Sequence, residues 1–341
     1  MKLASVIAAV VLGAVGVPAA QAAGDIGIFE TVLESSVSFA ETTKTLEGAF
    51  PGSALQLHAS HDVRLPDDLH QGRVYVLTSP SYVTAAAAES PRTISAQILR
   101  IAVFTSGDEQ STFINMANPV AHAMVYYADS ENYDELVAAA GRSAEQIREL
   151  VAAVPGNAVS VQAEPMRSEK HYRKYKGDGP ARMMAKFRKW RKSQLQIERD
   201  TADAFDAVVD RVVARLQAGN VTDASDTDGW EVVSQIRVRD DAVHIGLTNP
   251  YIEDKMIRIN SRFRGDDKSD RSPYPGVDHV AALPTEVLIV KDGGETLVLH
   301  YGQMWRMQLY FWDSGYRAFT ANVGVPGKIV NSIEGAIESD R

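Results

Sequence analysis

The chain has 341 residues, no cysteine, and 35 basic against 44 acidic residues, for a net charge of −9. Without cysteine there are no disulfides, no thiolate metal sites, no Cys nucleophile and no lipid-anchored N-terminal cysteine, so stability must come from ordinary cores. The length is that of about two domains, and the charge is uneven: residues 156–192 carry 3 acids and 11 bases between two acidic bodies.

Residues 1–22 have the three parts of an export signal: Lys2, an apolar run from Leu3 to Val17, and the small-residue site Ala20-Gln21-Ala22. The run is shorter than the roughly 20 apolar residues a membrane span needs, and it breaks at Pro18. A cleaved signal peptide, a mature chain starting near Ala23 and a periplasmic location are the expectation. Ser38 then caps a short amphipathic helix over 38–47, with Phe39, Thr42, Thr43 and Leu46 on one face. Segments 55–63 and 73–78 read as strands closed by Ser79-Pro80, and a helix over 82–89 follows. Segments 98–104 and 111–116 flank Ser106-Gly107-Asp108-Glu109 as a β-hairpin, and helices over 131–140 and 143–154 close the unit.

The second half repeats this order. It offers a helix over 201–216, strands over 230–238 and 242–248, a break at Asn249-Pro250, and a helix over 251–259. A hairpin of 286–290 with 296–301 follows, and then a helix over 326–338. Local sequence agrees with the order: Val74-Tyr75-Val76-Leu77-Thr78-Ser79-Pro80-Ser81-Tyr82 sits against Val243-His244-Ile245-Gly246-Leu247-Thr248-Asn249-Pro250-Tyr251. The expected fold class is therefore α/β (α+β), as two tandem copies of a small two-layer domain with an antiparallel sheet and helices on one face. The copies span 26–155 and 200–341, joined by a basic linker over 156–199. An internal pseudo-dimer of the two is expected, with a large apolar contact between them.

A Phe-containing first helix, a Thr-Asn-Pro break after the second strand, and Ala282-Leu283-Pro284 leading into a hairpin that ends in His300-Tyr301 resemble the bacterial domain of unknown function 302. The second copy matches best, over 200–338. In the first, Ala96-Gln97-Ile98 stands where Ala-Leu-Pro would be, and Met116 where Tyr301 is. The resemblance implies an α/β fold, and it implies no activity and no catalytic residues.

Candidate chemistry is sparse. His58 and His61 lie three apart on a strand, so they point to opposite faces and cannot share a metal. Met304, Met307, Leu309 and the aromatics Trp305, Tyr310, Phe311 and Trp312 form the densest apolar cluster, read first as core and groove lining. With His300, Tyr301 and Arg306 the cluster is also the candidate pocket for an apolar ligand carrying an acidic group. Asn249 and Tyr251 sit where a strand ends and a helix begins, a place for an anion or simply for a turn. In the linker, Met183, Met184, Phe187, Trp190 and Arg191 recur at helical spacing. Lys186, Arg188, Lys189, Trp190, Arg191 and Lys192 are therefore the candidate surface for an anionic membrane or a partner, the alternative being an interdomain helix.

No nucleotide loop, nucleophile elbow or zinc-protease helix is present. No catalytic residue, metal or cofactor is expected, and no nucleic-acid partner. The leading expectation is a non-enzymatic binding or accessory module for a small molecule or a protein. The alternatives are an enzyme with a pocket around His300, Tyr301 and Arg306, or a protein held at membranes by 181–192.

Overall fold

The computed structural model describes residues 24–65, 70–107, 110–163, 165–174, 190–218, 229–258, 276–312 and 319–338, the side chains of 192 and 193 excepted. Residues 1–22, read as an export signal, and residues 175–189 of the basic linker, including Lys186, Arg188 and Lys189, lie outside the described residues. Among the described residues no helix is long and apolar enough to cross a membrane.

The first unit is built on β1 (Phe29–Ser35), β2 (Gln56–Asp62), β3 (Gly72–Thr78), β4 (Leu99–Ser106), β5 (Ser111–Ala117) and β6 (Gly156–Gln162). All pairings are antiparallel, in the order β2-β3-β4-β5-β1-β6. Its helices are α1 (Phe39–Ala49), α2 (Pro80–Ala85), α3 (Pro119–Tyr126) and α4 (Tyr133–Val151). Between the units lie α5 (Glu169–Lys174) and α6 (Trp190–Ser193). The second sheet holds β7 (Gln194–Asp200), β8 (Glu231–Arg239), β9 (Ala242–Thr248), β10 (Thr285–Asp292) and β11 (Glu295–Tyr301), ordered β7-β11-β10-β9-β8 and likewise antiparallel. Its helices are α7 (Phe205–Gln217), α8 (Pro250–Arg258), α9 (Gln303–Tyr310) and α10 (Val325–Glu338).

Read from the β2 or β8 edge, the two sheets have one strand order, and β6 is an addition to the first. The agreement extends to irregularities. The pairing of β1 with β5 shifts between Thr31 and Leu33, leaving Val32, and that of β7 with β11 leaves Ile197 at the same place in its strand. The β2–β3 shift leaves His58, and a β8–β9 shift leaves Val233, again at matching positions. A bulge aims side chains and is retained as a feature of a fold, so two coincident bulges say more than strand order alone.

The strand ladders fix which residues answer to one another. Arg100 corresponds to Glu286, Met116 to His300, Ala117 to Tyr301, His122 to Arg306, and Tyr126 to Tyr310. This moves the sequence alignment by one residue, because it is Ala117 and not Met116 that stands at the Tyr301 position.

Packing between the units is reciprocal. The 3-10 helix Val277–Ala282 of the second unit lies on β3, β4, β5 and β1, while the 3-10 helix Pro91–Gln97 of the first lies on β9 and β10. Edge strands β2 and β8 meet, and Val76, Ile98 and Ile236 form a small apolar cluster beside them with Ala59 and Val238. A single continuous core runs through both units. Both faces of the central strands are thus covered, by the unit's own helices and by its partner unit, which is why β9 and the first six residues of β10 are buried throughout.

Local chemistry explains the turns. Gly293 and Gly294 have φ of 63° and 86°, the pair of positive values that a two-residue hairpin turn requires. At Gly246 an added Cβ would lie 2.5 Å from Ser234 Oγ and 2.6 Å from Pro284 Cγ. The first unit has Val76 and Ile98 at these two positions, so the bulk has been redistributed between the pair. Gly246→Ala is expected to cost roughly 1–3 kcal/mol by overpacking, read as a lower urea midpoint at unchanged m-value.

Three differences from the sequence reading concern boundaries. Segment 156–199 is not only a linker: it contains β6 and all but the last residue of β7, one strand of each sheet. The sequence reading also lacks β1, whose bulge breaks the alternation. The two helices read over 131–154 are one, α4, running through Gly141 with Ala139, Ala140, Ser143 and Ala144 buried.

Candidate functional site

At the contact between the units, the corresponding positions bring charged and polar groups into the core. Arg100, His122, Tyr126, His244, Glu286, Arg306 and Tyr310 are each no more than 4% exposed. Arg100 Nη2 donates to the Tyr310 hydroxyl at 2.5 Å, and His122 Nε2 lies 2.7 Å from the same oxygen. Arg306 Nη1 donates to Glu286 Oε1 at 3.3 Å, and His244 Nε2 meets Glu286 Oε2 at 3.1 Å. The carbonyl of Ala282 accepts from Arg306 at 2.8 Å and from Arg100 at 3.4 Å. Both guanidinium groups also stand near the Tyr310 ring, at 5.3 and 5.2 Å from its centroid.

Burial opposes ionisation of Glu286, yet the hydrogen bond and charge of His244 and the charges of Arg306 and Arg100 outweigh it and hold its pKa at about 2. His122 is pushed well below 6.5, first by burial and then by Arg100. A neutral His122 accepts at Nε2 the proton of the Tyr310 hydroxyl, whose oxygen accepts from Arg100. The network is a structural clasp between units. Tyr310→Phe is expected to cost about 1–3 kcal/mol, because buried donors lose their shared partner; thermal unfolding of the variant measures it.

One face of this network borders open space. Arg306, which points Nη1 and Nη2 inward, also lines a cleft between α8, α9 and α10, together with Ile252, Lys255, Met256, Gln303, Met307, Phe311, Val325, Pro326 and Ile329. The cleft is narrow, with about 40 Å³ in which the centre of a water can move, a few waters' worth at roughly 10–15 Å³ each. Its lining is nearly all apolar, and Lys255 stands in it. Lys255 Nζ and Lys328 Nζ lie 5.4 and 5.9 Å from the ring centroid of Tyr251. The first unit has no counterpart among its described helices, since there α4 packs against both α2 and α3.

α8 is anchored on its other side. Glu253, fully buried, accepts from Thr248 Oγ1 at 2.7 Å and from the Arg64 backbone N–H at 2.8 Å, and its Oε1 lies 2.7 Å from His61 Nε2. Arg64 also bridges to Glu231. One helix thus faces the cleft with Ile252, Lys255 and Met256 and holds the first unit with Glu253.

The residues singled out from sequence fall in different places. Arg306 lines the cleft and Tyr251 lies beside it. His300 and Tyr301 are fully buried: His300 Nε2 meets Glu334 at 3.2 Å, and Tyr301 stacks on Trp305 with ring centroids 5.2 Å apart. Neither is open to a substrate arriving from solvent, so of the three residues named for the enzyme alternative only Arg306 borders the cleft. Met304 packs half-buried against the core. Asn249 is a helix cap, its Oδ1 accepting from Ile252 N at 2.8 Å, so turn formation accounts for it. Trp190 corrects the membrane-surface expectation: it is 4% exposed and packs edge-on against Tyr126 at 5.7 Å, inside the shared core. Arg191 is exposed and stands over the Trp190 ring, and the Lys192 side chain lies outside the described residues. His58 bonds Thr78 while His61 bonds Glu253, and no cluster of metal-ligating side chains occurs among the described residues.

Sequence reasoning missed Ile252, Lys255, Met256, Val325 and Ile329. Their signal is an i, i+4 apolar pair on each of two helices, Ile252 with Met256 and Val325 with Ile329, which reads as core packing until the helices are placed.

No family model matches the chain, and no curated protein matches it. Among solved structures, a crystal structure of an uncharacterized conserved protein DUF302 from Bacillus stearothermophilus is similar at 15% identity, covering 37% of this chain and 98% of that one with a TM-score of 0.31.

Proposed function

We propose that this is an exported, non-enzymatic binding or accessory module, made of two copies of the domain of unknown function 302, in which only the second copy keeps a ligand site. The observation that carries the proposal is the cleft between α8, α9 and α10, an apolar slot with cationic groups that exists beside one of two otherwise corresponding sheets. Duplication is supported by the shared strand order and the coincident bulges at Val32 and Ile197 and at His58 and Val233. Fusing two copies turns the contact of a symmetric dimer into an internal one, after which equivalent positions are free to differ. The pair Arg100 and Glu286 fits that history, because a charge facing its own copy across an axis would repel, whereas the diverged pair attracts.

Native mass spectrometry of protein recovered from its own cells tests the reading. A small molecule retained by the parent and lost from an Ile329→Trp variant, whose indole fills the slot, is the expected result; a chain that carries nothing, or carries the same mass after the slot is filled, overturns it. Export is tested separately by N-terminal sequencing of the mature protein, which is expected to begin near Ala23.

A further inference from the structure

We infer that the cleft takes a slender, single-chain amphiphile with an anionic head: the chain enters between α8, α9 and α10, and the head stays at the mouth against Lys255 and Lys328. This rests on the binding-module reading above and adds the ligand's chemical class. Shape gives the first half. The slot is small, with about 40 Å³ open to the centre of a water, and two of its walls are Met256 and Met307, unbranched side chains that swing aside at little cost to admit a flexible chain. The apolar lining offers an uncharged chain everything it needs and a buried head nothing, because the Arg306 guanidinium is spent on Glu286 and Ala282.

Charge gives the second half. Lys255 and Lys328, from α8 and α10, stand on the same Tyr251 ring; Lys255 lines the cleft, and Lys328 adjoins Ile329, which also lines it. Lys255 is shared with Asp254, which Arg258 also engages, and Lys328 is exposed and makes no ion pair among the described residues. Among the described residues there, Lys255, Arg258 and Lys328 outnumber Asp254, in a protein whose net charge is −9. A carboxylate or a phosphate monoester is the fitting head, and an ammonium is repelled.

The test titrates full-length mature protein, carrying 13C-methyl methionine, with decanoate, decanol and decylamine. The Met256 and Met307 methyl resonances are expected to shift saturably with decanoate, while those of Met116 and Met124 in the first unit stay in place. Decanoate is expected to bind at least fivefold tighter than decanol, and decylamine weakest. A Lys255→Gln/Lys328→Gln variant, changed only at the surface, is expected to lose fivefold or more in decanoate affinity with decanol unchanged. Equal binding of amine and carboxylate, or an unaffected double variant, overturns the anionic class and leaves the cleft reading standing. Absence of any shift at Met256 and Met307 with all three compounds overturns both. Capture of the protein by phosphatidylglycerol vesicles, abolished in the double variant, together with no response to monomeric decanoate, assigns the lysines to a membrane surface and overturns the single-chain ligand.

Discussion

Glu286→Gln is expected to lower stability by about 3–5 kcal/mol and the melting temperature by on the order of 10 °C. Glu286 is the one acid in a buried network that holds two guanidinium groups, and its removal leaves Arg306 and Arg100 without a counter-charge away from water. The pH dependence has a determinable sign. The folded-state pKa of Glu286 is about 2 against 4.5 for the free side chain, so its contribution is complete above pH 4.5 and is lost as pH falls toward 2. The shift corresponds to about 3 kcal/mol. His122 is depressed below 6.5, so the unfolded chain takes up a proton that the folded chain refuses, and stability declines as pH drops below 6.5. Both effects weaken the protein in acid, in two successive windows. The variant should keep the decline that starts below 6.5 and lose the steeper fall below 4.5. Urea unfolding at pH 7, 5.5 and 4 measures this; a loss under about 1 kcal/mol at pH 7 would contradict a paired buried carboxylate.

Glu253→Gln is the second large effect, expected at about 2–4 kcal/mol. Glu253 is fully buried, and its carboxylate holds Thr248, His61 and the backbone and side chain of Arg64, so it ties α8 of the second unit to the β2 end of the first. The cost should be smaller than for Glu286 because Arg64, with 45% of its side chain exposed, can return to water. Glu231, also bonded to Arg64 but 40% exposed, is the control: Glu231→Gln should change stability by under about 1 kcal/mol. Since Ile252, Lys255 and Met256 line the cleft from the same helix, Glu253→Gln should also move the Met256 methyl resonance. Equal small effects from Glu253 and Glu231 would show that the buried carboxylate does not join the units.

Most of the fold was legible because the elements with strong periodicity are those closing each unit. Strand β9 carries the bounds read from its β-branched run, α10 begins one residue earlier than its periodicity gave, and the Gly293-Gly294 turn announces its hairpin. The missing strands had physical reasons to be missed. β1 and β7 each carry a bulge that breaks alternation, and β6 is an edge strand with most of its residues exposed, so no apolar face marks it. Trp190 read as part of a surface helix because a single aromatic at helical spacing does not reveal that Tyr126, far away in sequence, waits to receive it. The site was legible at Arg306, Met307 and Phe311, all from one helix and its end, and not at its other walls. The aromatic density around His300 to Trp312 is the mark of a core shared by two units, whereas the cleft is walled by ordinary Ile, Met and Val whose exposure depends on how far apart α8 and α10 lie.

The pairing of units into one cooperative body is the claim on which the rest depends, and native-state hydrogen exchange tests it most directly. The amides of β4 in the first unit and β10 in the second should exchange through the same opening free energy, and Glu286→Gln, a change in the second unit alone, should lower both equally. A fall confined to β10, with β4 unchanged, would show two independently stable domains and contradict the shared core.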